Sequence, residues 1–338
     1  MDLKNWTTDE KAGQHFIIGF EGVSAPKFLT ERIENGQIGG IILLKRNIEN
    51  LRQLSDLIND LQKAALNSRL KVPLFISIDE EGGRVSRLSS DFIDLPSAQL
   101  LAKNKETKII KELVCKLAKQ MKKVGINLNF SPVLDLSTNP KCLVIGDRSL
   151  GTKPENVGRL GSEIIGYFQS NMIAACAKHF PGIGEIQVDP HYQLPICEIS
   201  EETLRTRELI PFKFAIDSEN DYEQVLTVMV GHTIYTKIDP DYISSQSKKI
   251  ITTILREQLS FQGLVLTDDL DMGAISLSAN NAFKSINAGA DIALICNNFE
   301  NYKRNFNFLC EKIEKCKLNP ELEMESLKRI LKIKQIVI

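Results

Sequence analysis

The stretch Met172-Ile173-Ala174-Ala175-Cys176-Ala177-Lys178-His179 decides how the rest of the chain is read. Six apolar or small residues run without a break and then end in two ionisable side chains. The run is about strand length, and unbroken apolarity means burial on both faces, as in a parallel sheet. Similar runs recur at His15–Phe20, Ile38–Leu44, Val72–Asp79, Ile126–Asp135, Val225–His232, Leu264–Asp269 and Asp291–Cys296. Amphipathic stretches lie between them. Val157, Leu160, Ile164 and Phe168 follow helical spacing, as do Ile109, Leu113 and Leu117. Pro154 and Pro96 stand where a first helical turn would begin. Eight buried strands alternating with helices predict an α/β fold, a single (β/α)8 TIM-type barrel.

The 338 residues would suit two average domains, but barrels of this kind run longer as one unit. No Pro/Gly/Ser-rich linker or internal repeat divides the chain, so one domain over 1–338 is expected. A C-terminal helical segment is expected at about 299–336, its lysines forming a solvated face. With 42 basic and 43 acidic side chains, the net charge is −1. Neither nucleic acid nor an anionic membrane is expected as a partner. The polar start of the chain and the absence of a spanning apolar run add a cytoplasmic expectation. The seven cysteines form no C-x-x-C pair, which points to a reducing compartment.

In a parallel barrel, chemistry sits at the C-terminal ends of the strands. Five of the runs end there in ionisable residues: Asp79-Glu80-Glu81, Asp135, Lys178-His179, His232 and Asp268-Asp269. The opposite ends carry nothing comparable on this reading. Of four histidines, His15 reads as structural, while His179, His191 and His232 gather on the polar rim. The glycines and prolines of residues 180–191 exclude regular structure, so a long loop follows the fifth run. Within it, Asp189-x-His191 sets a carboxylate beside an imidazole, a pairing that fixes the ring and favours its protonated form. In Asp268-Asp269, strand alternation predicts that only one side chain faces the barrel axis. Arg84, Arg87, Arg148 and Lys178 could hold carboxylates or hydroxyls.

Together, Asp79-Glu80-Glu81-Gly82-Gly83-Arg84-Val85, Phe130-Ser131-Pro132-Val133-Leu134-Asp135, Lys178-His179-Phe180-Pro181-Gly182, Asp189-Pro190-His191 and Thr267-Asp268-Asp269-Leu270 resemble glycoside hydrolase family 3. Within that family the chain is similar to the single-domain bacterial β-N-acetylhexosaminidases of peptidoglycan recycling. The resemblance implies Asp268 as nucleophile, and His191 as general acid/base oriented by Asp189. It implies sugar contacts from Asp79, Arg87, Arg148, Lys178, His179 and His232, with no metal and no cofactor. The implied substrate is a non-reducing-end β-linked N-acetylglucosamine, cut from 1,6-anhydro-muropeptides by a monomer. Glu80, Ile183 and Pro190 depart from the family pattern, where Gln, His and Ser are usual.

Many relatives draw the acid/base from a second domain. Here the loop at about 180–198 is expected to supply it, swinging over bound sugar. Three other functions are compatible with the residues. A relative could transfer the sugar to phosphate, since a neutral imidazole tolerates an anionic nucleophile. His179, Asp189, His191, His232 and Asp268 could instead hold a metal for hydrolysis, although no His-x-His pair is present. A barrel that binds sugar without turnover would not need both the Asp-His pair and the nucleophile.

Overall fold

The computed structural model describes residues 3–103 and 107–338. Eight strands form the barrel: Phe16–Ile18 (β1), Gly40–Leu43 (β2), Phe75–Ile78 (β3), Leu128–Asn129 (β4), Ala174–Phe180 (β5), Thr227–Val230 (β6), Leu264–Asp269 (β7) and Ile292–Ile295 (β8). All pair in parallel in chain order, and Phe16 opposite Ala293 closes the ring. Every apolar run of the sequence holds one strand.

β4 is the shortest, because Pro132 has no N–H to give the ladder. Pairing resumes beyond it as a single bridge between Val133 and Lys178. A two-stranded parallel sheet, Ile196–Cys197 with Ile234–Tyr235, stands apart from the barrel.

Alternation along the strands sorts side chains into two layers. Ile17, Ile42, Phe75, Leu128, Ala174, Leu264 and Ile292 fill the interior. Ile18, Ile41, Ile76, Val228 and Val265 pack outward against the helices. Pro154 opens the helix Pro154–Gln169 as its spacing predicts, whereas Pro96 precedes the helix Ala98–Lys103 by two residues. On Thr107–Val124 the buried face is Ile110, Val114, Leu117 and Met121, while Ile109 is exposed. The predicted stripe was rotated because Ile109 and Ile110 are both apolar and spacing alone does not choose between them.

The helices Phe299–Glu314 and Pro320–Val337 end the chain. Ile330, Ile333 and Val337 of the second join the interior cluster, closing the N-terminal mouth of the barrel. That mouth is not free of charge, contrary to the sequence reading. Asp291 is fully buried there between Arg256 and Arg329, and Lys334 is buried on Gln14 and the Gly39 carbonyl. The partners of Asp291 lie 35 and 38 positions away and Gln14 lies 320 positions from Lys334, so local sequence does not reveal them.

Candidate active site

At the C-terminal mouth, the residues after β3 turn sharply through Gly82 and Gly83, both at positive φ. A side chain at Gly82 would meet the Leu95 and Pro96 carbonyls at 2.6 and 2.5 Å, so only glycine fits. The turn folds Glu81 back beside β5. There Lys178 Nζ lies 2.7 Å from both Asp79 Oδ1 and Glu81 Oε1. Arg148 forks onto Glu81 with two bonds of 2.8 Å, and its Nη2 lies 3.5 Å from His179 Nε2. Burial opposes the Lys178 charge, but Asp79 and Glu81 outweigh it and hold the ammonium pKa up. Burial likewise opposes the Glu81 carboxylate, and Lys178 and Arg148 hold it far below the usual range.

Asp135 accepts three bonds: from His179 Nδ1 at 2.7 Å, from the His179 N–H at 2.9 Å and from the Ile183 N–H at 2.7 Å. It therefore fixes the His179 ring and the first turn of the following loop. Lys178 and His179 are neighbours, yet both line the cavity. The β5–β6 register shifts between Ala177 and Phe180, which suspends alternation there.

The same happens in β7. Asp268 and Asp269 both line the cavity, while the Asp269 carboxyl bonds to the backbone of the loops that follow β7 and β8. Ile292 pairs with Leu266 and Leu294 with Asp269, so β7 carries one extra residue between the two pairings. Burial pushes the Asp268 carboxyl up, but the His179 and His232 imidazoles oppose it and hold it below the ordinary range. Its Oδ1 accepts the Asp269 N–H at 2.8 Å. Asp269 accepts the Asp271 and Cys296 N–H groups at 3.0 and 2.9 Å. Burial and the Asp271 charge push its carboxyl up to about 7. Adjacent carboxyls are thus held apart in protonation.

In the loop after β5, His191 Nδ1 lies 2.7 Å from Asp189 Oδ1, which also accepts the His191 N–H at 2.9 Å. The Pro190 and His191 carbonyls accept the Ala274 and Gly273 N–H groups, each at 3.0 Å. A Cβ at Gly273 would lie 2.8 Å from the His191 and Tyr192 carbonyl oxygens. The loop tip thus rests on the segment that follows the β7 aspartates.

Asp79, Arg87, Arg148, Lys178, His179, His191 and Asp268 all wall one cavity of about 240 Å³. Asp189 stands behind His191, and its carboxylate is spent on that residue. His232 stands behind the aspartates, buried, with Nδ1 on Ser245 Oγ at 2.7 Å and Nε2 on the Asp269 carbonyl at 3.1 Å. Among the described residues, no three His, Cys, Asp or Glu side chains gather as a metal site. Of the departing residues, Glu80 turns from the cavity and accepts the Arg87 and Leu88 N–H groups at 2.8 and 3.1 Å. Ile183 lines the cavity as an apolar wall, and Pro190 lines it beside His191.

Sequence reading placed Glu81 and Asp135 on the polar rim but gave them no role, although they position Lys178, Arg148 and His179. Their place directly after buried runs was the available signal.

A polar cavity the size of one sugar opens at the mouth of a parallel barrel, with a carboxylate and an imidazole on its walls. Glycoside-cleaving barrels are built this way. The chain belongs to glycosyl hydrolase family 3: residues 7–333 match the family's N-terminal domain. Beta-hexosaminidase of Haemophilus influenzae is 33% identical over 291 residues, covering 84% of this chain and 80% of that protein. Beta-hexosaminidase A of Pseudoalteromonas piscicida is 32% identical over 336 residues, covering 91% of this chain. This chain spans only 55% of that relative's length. The solved family 3 beta-N-acetylglucosaminidase of a Paenibacillus species superposes with a TM-score of 0.93 at 34% identity. That match covers 98% of this chain and 62% of the solved one.

Proposed function

We propose that the chain is a retaining β-N-acetylhexosaminidase that removes non-reducing-end β-linked N-acetylglucosamine. The proposed natural substrate is a 1,6-anhydro-muropeptide released in peptidoglycan recycling, cleaved by a monomer in the cytoplasm. What carries this reading is that Asp268, held ionised, shares a cavity wall with the imidazole of an Asp-His pair.

Retaining hydrolysis needs a carboxylate to attack the anomeric carbon and an acid to protonate the leaving oxygen. Asp268 attacks, forming a glycosyl ester, while His191 gives its proton to the departing aglycone. The imidazole is then neutral and takes a proton from water, which attacks the ester and frees Asp268. Asp189 keeps the ring oriented through its bonds to the His191 Nδ1 and N–H. Asp79, Arg87, Arg148, Lys178 and His179 hold sugar hydroxyls, and His232 supports the aspartates from behind. In this account the part of the segment 180–198 beyond Ile186 moves over the sugar, its tip leaving and regaining Gly273 and Ala274.

The test compares 4-nitrophenyl β-N-acetylglucosaminide with the matching glucoside, followed by muropeptide digestion. Mass spectrometry of a trapped intermediate should show the sugar on Asp268. A sugar ester on another residue, or preference for the glucoside, would overturn the reading. Products formed with and without phosphate separate hydrolysis from transfer to phosphate. Sedimentation and cell fractionation test the monomer and its location.

A further inference from the structure

Glu208 is buried at 1% exposure in the helix that returns from the catalytic loop to β6, and the mechanism above does not use it. Its Oε1 accepts Arg207 Nε at 2.6 Å, while Oε2 has no hydrogen-bond partner. A methyl group added at Gly182 would come within 3.0 Å of that Oε2, so the carboxyl packs under the start of the loop. Arg207 Nη2 makes ion-pair contacts without hydrogen-bond geometry, 2.6 Å from Glu208 Oε1 and 2.8 Å from Glu185 Oε1 on the loop itself. Thr138 donates to the same Glu185 oxygen at 2.8 Å. Ile186 beyond it is buried at 1%, whereas Tyr192, just past the dyad, is 85% exposed. Chain up to Ile186 is therefore clamped, and the Asp189–His191 segment projects from that clamp.

We propose that Glu208 is a positioning residue for the general acid: acting through Arg207 and Glu185, it fixes the root from which His191 reaches the leaving oxygen. The inference rests on the acid role given to His191. Burying a carboxyl with one oxygen unpartnered works against folding rather than for it. Burial indeed pushes Glu208 up to about 7 although Arg207 opposes the shift. Asp135, Glu185, Cys197 and Tyr235 face the same region from neighbouring elements. The charge is costly where it stands, and what it holds is the Arg207 guanidinium at the foot of the loop.

A displaced acid should hurt most where the leaving group needs a proton. The experiment measures kcat and KM of Glu208→Gln and Arg207→Met on N,N′-diacetylchitobiose and on 2,4-dinitrophenyl β-N-acetylglucosaminide. In kcat/KM, which reports the glycosylation step alone, the disaccharide should lose about tenfold and the dinitrophenyl substrate less than about twofold. Melting temperature should not fall for Glu208→Gln. Equal losses on both substrates, or no loss in either variant, would overturn the inference. His191→Ala is the control: if it too showed no dependence on leaving group, the acid assignment itself would fall.

Discussion

The two mouths of the barrel both bury charge, but they treat it differently. At the N-terminal mouth, Asp291 accepts from Arg256, the Val265 N–H, Ser326 and Arg329, so both oxygens are saturated by the protein. Lys334 likewise donates to Gln14 Oε1 and the Gly39 carbonyl, each at 2.8 Å, and sits 5.1 Å from the Phe75 ring centre. At the C-terminal mouth the bonding is left incomplete. Arg87 Nε is buried without a partner, and Asp268 accepts only from the backbone of its neighbour. At the floor His15 Nε2 is also buried without a partner, but the charged groups there are all paired, whereas Arg87 and Asp268 line the cavity with bonding capacity to spare. Charge at one end holds the fold; charge at the other lines the cavity where the proposed substrate would bind.

That contrast can be broken most forcefully at Asp268. Asp268→Asn should cost at least about 10⁴-fold in kcat, because no glycosyl ester forms, while thermal stability holds or rises. Steady-state rates with a melting curve check both halves. Next comes His191→Ala, with an expected loss of about 10²–10³-fold on N-acetylglucosaminides whose leaving groups need a proton. Near-normal turnover of the chitobiose disaccharide would remove the contrast at that wall.

At the floor the pattern should invert. Asp291→Ala strands two guanidinium groups and should cost about 3–5 kcal/mol in denaturant unfolding. Its kcat per folded molecule should match the parent; a large drop would mean that the two ends are coupled. The smallest effect is expected at Lys334, whose pKa burial pulls down to about 7. The unfolded chain keeps that proton to about 10.5. Between those values the folded state binds fewer protons, so stability should rise with pH. Lys334→Met should flatten that rise across the window. An unchanged slope would show that the ammonium stays charged on its two oxygens.

Much of this was legible in the amino acids. Unbroken runs such as Ala174–Ala177 betrayed two-sided burial, and their ionisable ends marked the working rim. The Asp189-x-His191 spacing gave a dyad whose bond the structure contains. What stayed hidden depends on register and closure. One extra residue in β7 brings Asp269 to the cavity beside Asp268, and alternation rules carry no trace of it. Glu81 and Asp135 act on residues of β5, roles that exist only once neighbouring strands are aligned. The floor cluster joins Asp291 to Arg329, Gln14 to Lys334, and such pairings are invisible to any local window.

The seal at the floor also sets an order for biosynthesis. Gln14 and Lys334 are 320 positions apart, and β1 finds β8 only when both have left the ribosome. While translation proceeds, the nascent sheet has two open edges and an uncorked interior of isoleucine, leucine and phenylalanine. Pairing of β8 with β1 closes the edges, and the helix Pro320–Val337 then covers the interior.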